Sequence, residues 1–303
     1  AAGRRAFSSV FAPPQLRARL RPVFVTEFSR TARVLAPRPG LVIEACVDRG
    51  SIRSGERSEE LCELEMELKS GQVSQLFELA QALLDDFPLR VENRSKAERG
   101  YALFRNERAA PVKARAATLE AGMSVSEAFK AIMQATHGHL QANEHGVREG
   151  GDPEYLHQMR VALRRLRSAF SVFADVLPPG AAAPHVAGVK WLAGALGPAR
   201  DWDVFMTETL PPIRRDFGAH QGLAAFERQC ALVRQAAQRA AQRAVNSRRY
   251  QKTMLGLAAW LCTEGWAAGV ADGELAALRA PVRGFADAVL SRDRGRLLRL
   301  LDA

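Results

Sequence analysis

Residues 156–173 read L-H-Q-M-R-V-A-L-R-R-L-R-S-A-F-S-V-F. At about 100° per residue, His157, Arg160, Arg164 and Arg167 fall on one side of a helix, and Arg165 flanks them. Leu156, Met159, Leu163, Leu166 and Phe170 fall on the other side. This is an amphipathic helix, and its apolar stripe requires partner elements. Its polar face carries cations and no acid, so the usual Glu–Lys mixing at i,i+4 is missing. A solvated surface is the ordinary reading of a basic face. An anion site is the sharper one, because arginine matches the paired oxygens of phosphate.

Composition agrees with a polyanionic partner. The chain has 303 residues, enough for two domains, and a net charge of +10. Residues 111–303 hold 25 basic and 18 acidic residues, so most of that excess lies there. Cys46, Cys62, Cys230 and Cys262 are far apart, which fits a reducing cytoplasm and argues against zinc. No apolar run approaches the ~20 residues of a membrane span, so no membrane partner is expected. The opening A-A-G-R-R-A-F-S-S-V is weakly like a targeting peptide but lacks a hydrophobic core, and reads as the cut edge of a longer chain.

The fold class expected is α+β in two domains: residues 1–105 mostly β, a linker at 106–122, and a helical domain at 123–303. Short strands are expected at 23–25, 31–35, 41–47 and 61–69. Pro37, Pro39 and Gly40 mark one turn, and Asp48-Arg49-Gly50-Ser51 marks another. In the last strand Glu63, Glu65, Glu67 and Lys69 share one face, with Leu64, Met66 and Leu68 on the other. Three carboxylates in a row call for divalent cations or opposing Arg and Lys, unless the face is simply exposed. A helix over 72–86, ended by Pro88, is expected to cover the Leu64/Met66/Leu68 face.

C-E-L-E-M-E-L-K-S-G, that helix, and S-K-A-E-R-G-Y together resemble the C-terminal half of a CYTH domain, the triphosphate tunnel metalloenzyme family. The resemblance covers roughly residues 20–105. It implies part of an antiparallel β tunnel in which carboxylates hold Mg²⁺ or Mn²⁺ and cations hold triphosphate. Glu63, Glu65 and Glu67 would stand on the metal side, and Arg30, Arg53, Lys69 and Lys96 on the phosphate side. The family's opening E-x-E-x-K strand has no counterpart before Arg30. Triphosphate hydrolysis is therefore expected only where the missing strands are supplied.

From Ser124 onward the pattern is helical. Ser124 with Glu127 forms a capping box for a helix over 125–143. Asp152-Pro153-Glu154 starts the basic helix, which is expected to run to Val176. A helix through Trp191 to Leu196 precedes Gly197-Pro198-Ala199-Arg200-Asp201-Trp202-Asp203, where Asp201 and Asp203 are candidates for orienting Arg or His side chains. Residues 222–263 read as helix, broken near Asn246 and Ser247, with no acid between Glu227 and Glu264. His137 and His139 cannot share a helical face, and no H-E-x-x-H, P-loop or G-x-S-x-G occurs.

D-P-E-Y-L-H-Q-M-R-V-A-L-R-R-L-R followed by L-G-P-A-R-D-W-D-V-F resembles a CHAD domain, the conserved-histidine α-helical domain, which follows CYTH domains in bacterial proteins. The resemblance implies an inorganic polyphosphate-binding helical bundle of two pseudo-symmetric halves, of which the first is expected here. Carried over, the binding residues are His157, Arg160, Arg164, Arg165, Arg167 and Arg200, with Asp201 and Asp203 supporting. Arg239 and Arg243 join them from the second acid-free run. Three functions remain open: polyphosphate binding, which needs no cofactor; Mg- or Mn-dependent triphosphate hydrolysis; and nonspecific nucleic-acid binding, which lacks aromatic stacking platforms. The first places the chain in the cytoplasm, at polyphosphate granules.

Overall fold

The computed structural model describes residues 19–107, 109–218 and 220–301, without the side chains of Asp272 and Glu274. The opening decapeptide lies outside these residues. Strands β1 (Val25–Arg38), β2 (Leu41–Ser54) and β3 (Arg57–Ser70) form an antiparallel sheet in the order β1-β2-β3. Helices follow: α1 (Val73–Asp86), α2 (Lys96–Arg105), α3 (Val125–Ala142), α4 (Glu144–Glu149), α5 (Pro153–Val172), α6 (Ala183–Val204), α7 (Leu210–Phe217), α8 (Leu223–Val245), α9 (Arg248–Cys262), α10 (Ala276–Arg279) and α11 (Val282–Leu301). The α+β class is borne out. The described strands form an open sheet rather than a closed tunnel.

The chain divides into two compact units: residues 1–71 with 92–108, and residues 72–91 with 109–303. Their sequence boundaries differ from a single break at 105. The helix expected over the Leu64/Met66/Leu68 face is α1, and it packs against α9 instead. Lys252 Nζ meets Asp85 Oδ1 at 2.5 Å, and Gln81 Nε2 donates to the Lys252 carbonyl at 3.3 Å.

The expected turn at 48–51 is also corrected. These residues lie mid-strand, with Asp48 opposite Arg30 on one side and Glu63 on the other. Gly50 allows the close approach of β1 there, since a Cβ would fall 2.0 Å from the Glu27 carbonyl oxygen. The true hairpin is at Gly55, whose φ of 58° suits glycine.

Helix α2 lies on the Asp48/Glu63/Glu65 face of the sheet. Ser95 caps it, accepting from the Glu98 N–H at 3.2 Å while the Glu98 carboxylate accepts from the Ser95 N–H at 2.7 Å. Phe24 packs edge-on against Tyr101, with ring centroids 5.1 Å apart.

In the helical unit the two expected caps are present. Ser124 Oγ accepts from the Glu127 N–H at 3.2 Å, and Asp152 Oδ1 accepts from the Glu154 N–H at 2.8 Å. Helix α5 ends at Val172, short of Val176. Its apolar stripe, Leu156, Met159, Leu163, Leu166 and Phe170, is buried against α3 and α6. Phe129, Phe170, Phe173, Trp260 and Trp266 form the aromatic centre of that core. Burying each such side chain contributes ~1.5–3 kcal/mol.

Two further differences matter for the site. Helix α6 continues through Gly197 and Pro198 to Val204, then passes through a π-helical turn, Phe205–Thr209. Residues 109–119, expected within a linker, are pinned to the helical unit without secondary structure of their own. The Val112 N–H donates to Asn143 Oδ1 at 2.9 Å, and the Val112 carbonyl accepts from Asn143 Nδ2 at 2.9 Å. His139 Nε2 also meets that carbonyl at 2.9 Å.

Candidate functional site

The sheet unit assembles a carboxylate and cation cluster. On β2, successive side chains alternate faces, so Asp48 shares the face of Glu63 and Glu65 across the ladder. Arg30 reaches Asp48 with two parallel bonds, Nε to Oδ1 at 2.7 Å and Nη2 to Oδ2 at 2.6 Å. It also meets Glu65 Oε2 at 2.6 Å. Lys96 Nζ joins Asp48 at 2.9 Å, Glu65 at 2.6 Å, and Glu63. Arg99, one turn on along α2, holds Glu59 at 2.7 Å and Glu63 at 3.0 Å.

These contacts set the protonation of the cluster. The Arg30 hydrogen bonds overcome burial and pull the Asp48 carboxyl down to about 2. The Lys96 hydrogen bond lowers Glu65. Burial works against the Lys96 ammonium, but Glu63, Glu65 and Asp48 raise it above the ordinary lysine value.

Asp48, Glu63 and Glu65 offer oxygens within 4.8 Å of one another, a donor set suited in kind to a hard divalent cation. The Lys96 ammonium bonds to the same three carboxylates, so it stands where such an ion would sit. As arranged, the residues fit an internal ammonium, and no chemical step is assigned to a metal.

The other residues expected in this unit are not gathered there. Glu67 lies further along the same face, where Lys69 bridges it to Glu44 at 2.9 Å each. Arg53 occupies the opposite face of β2 and pairs with Glu27. Asp48 and Arg99 were missed by sequence reasoning. Reading Asp48 as turn hid its place in the period-two pattern.

In the helical unit, α5 presents its basic face between two neighbours. On one side Arg160 reaches α6, with Nη1 3.5 Å from the Ala193 carbonyl and Nη2 4.0 Å from Asp201. On the other side Arg165 Nη2 donates to the Arg115 carbonyl at 2.9 Å. His157, Arg164 and Arg167 make no hydrogen bond or ion pair with another described residue. Arg200 lies 3.9 Å from Glu208.

Asp201 and Asp203 part company. Two residues on a helix differ by about 200°, so they cannot serve one partner. Asp201 is exposed. Asp203 is buried and faces α8, where its Oδ1 accepts from Arg234 Nε at 2.7 Å and Gln238 Nε2 at 3.0 Å. It orients α8 rather than His157 or Arg160, and Arg234 was the residue missed. The acid-free run contained it without saying which of its arginines turns inward.

A cavity of about 260 Å³ lies beside this pair, lined by Asp152, Pro153 and Leu156 of the α5 start, by Asp203, and by Gln238 and Arg239 of α8. It brings Arg239 to the N-terminal end of the basic helix. Arg243, one turn further along α8, is exposed and does not line the cavity.

No helix among the described residues is long and apolar enough to cross a membrane. An inorganic triphosphatase of Haemophilus influenzae (strain ATCC 51907 / DSM 11121 / KW20 / Rd) is 38% identical over 84 residues, matching the N-terminal part of this chain. That match takes in 28% of this chain and 24% of the triphosphatase. The crystal structure of the CHAD domain from the plant Ricinus communis matches at 40% identity and a TM-score of 0.46, covering 55% of each chain. The chain thus spans about a quarter of the first relative and about half of the second. A protein-family model described as the CHAD domain matches residues 131–303, more than half of the sequence. By that match, over the residues that form α5 and its neighbours, the chain belongs to the CHAD domain family.

Proposed function

We propose that this chain binds inorganic polyphosphate on the basic face of α5. His157, Arg160, Arg164, Arg165 and Arg167 supply phosphate contacts, Arg200, Arg239 and Arg243 extend them, Asp203 fixes α8 against α6, and Asp201 stands at the exposed edge facing Arg160. The observation that carries this reading is the pair of uncompensated cations Arg164 and Arg167, with the unpaired His157 beside them, on a helix whose other face is firmly buried. Fixed cations raise affinity through counterion release and need no cofactor. In a cell this reading puts the chain in the cytoplasm, at polyphosphate granules.

Arg160→Ala/Arg164→Ala is expected to weaken polyphosphate binding at physiological salt by tenfold or more, since a charge-assisted hydrogen bond contributes ~1.5 kcal/mol or more. Titration calorimetry checks it. Unchanged affinity, or equal affinity for DNA of matched charge, would sink the reading and leave nonspecific polyanion binding.

The carboxylate cluster of the sheet favours a second reading, Mg- or Mn-dependent hydrolysis of triphosphate, the substrate in the name of the Haemophilus relative. It requires Lys96 to leave the three carboxylates. On this reading phosphate release from triphosphate with added Mg²⁺ or Mn²⁺ disappears in Glu63→Ala/Glu65→Ala. Release that persists in Glu63→Ala/Glu65→Ala refutes it.

A further inference from the structure

Residues 109–119 precede the family match at 131–303, yet they lie along the edge of the basic helix. Three side chains fix this strap by its backbone: Asn143 and His139 hold Val112, and Arg165 holds the Arg115 carbonyl. The anchoring is well satisfied, because Asn143 is fully buried and exchanges hydrogen bonds with one strap residue, Val112, while its amide also donates to the His139 carbonyl.

What the strap carries is cationic. Lys113 and Arg115 are exposed, and their side chains have no partner among the described residues. No acid occurs between Glu107 and Glu120. Backbone bonds therefore hold two further cations on a strap that meets the helix at Arg165, and no described acid pairs with them. Arg165 is itself incompletely satisfied: Nη2 bonds to the strap, while Nη1 is buried with no acceptor. A polyanion lying along the seam between strap and helix pairs with these cations.

We propose that residues 109–119 form a second wall of the polyanion site, with Lys113 and Arg115 as phosphate-contacting residues. This rests on the polyphosphate reading of α5 and extends it beyond the helix.

The test uses the full chain and polyphosphate of defined length, titrated over a series of salt concentrations. Lys113→Gln/Arg115→Gln is expected to bind severalfold more weakly, with the slope of log affinity against log salt reduced by about 1.4, near 0.7 for each lost contact on a single-stranded polyanion. Arg294→Gln/Arg296→Gln on α11 removes the same net charge and is expected to leave both quantities unchanged. If the strap variant matches wild type while Arg164→Ala weakens binding, the strap is overturned and the helix site stands. A loss of affinity equal in the strap and α11 variants, or without a change in slope, also overturns it. If wild type does not bind, or Arg160→Ala/Arg164→Ala has no effect, the polyphosphate reading itself has failed.

Discussion

Asp203 illustrates how a single acid can be structural in a motif rich in charge. Its side chain is 2% exposed and joins α6 to α8 through Arg234 and Gln238, whereas Asp201, two residues earlier, is 74% exposed and barely reaches Arg160. Removing one partner of a buried ion pair strands the other. Because Arg234 is partly solvated, Asp203→Ala is expected to cost ~2–3 kcal/mol, below the full cost for a wholly buried pair. Asp201→Ala is expected to stay within ~0.5 kcal/mol. Denaturant midpoints followed by tryptophan fluorescence check both, since all four tryptophans belong to the helical unit. Nothing in the spacing of R-D-W-D says which acid turns inward. That is decided by α8, which arrives about thirty residues later.

At the level of elements, the seam between α3 and α9 has its own pH dependence. His137 Nε2 lies 3.1 Å from the Met254 carbonyl, and burial pushes its imidazole down to about 4. Burial likewise takes His185, packed on Trp260, to about 4. Both rings are neutral in the folded chain at pH 5, while the unfolded chain binds protons below about 6.5. Their stabilisation is complete above pH 6.5 and declines as pH falls toward 4. Unfolding midpoints are expected to drop between pH 7 and pH 5 in wild type and to drop less in His137→Gln/His185→Gln. The elements themselves were legible to different degrees. Helix α5 was readable because its cap, apolar stripe and charged face are local. The break between α8 and α9 was readable from Asn246 and Ser247. Strand β2 is not legible beyond Val47 because Asp48-Arg49-Gly50-Ser51 has turn chemistry, and only pairing on both sides keeps it extended. Pro198 misled in the same way, since α6 tolerates it within a helix.

For the molecule as a whole, the α+β class and the basic, amphipathic character of α5 are visible in sequence, but the grouping of the pieces is not. Amphipathic α1 fits a sheet face or a helix pair equally well, and periodicity cannot choose between them. The structure gives it to α9, so the polypeptide leaves the sheet unit after Gly71, contributes residues 72–91 to the helical unit, returns for α2, and leaves again. This excursion has a consequence for synthesis. As the chain emerges from a ribosome, α1 appears long before its partner: Asp85 must wait for Lys252, 167 residues later. At ~5–20 residues per second the interval is roughly ten to thirty seconds, during which the apolar stripe of α1 has no native cover. Chaperone binding to a nascent chain should therefore begin at α1 and end only when α9 has cleared the exit tunnel.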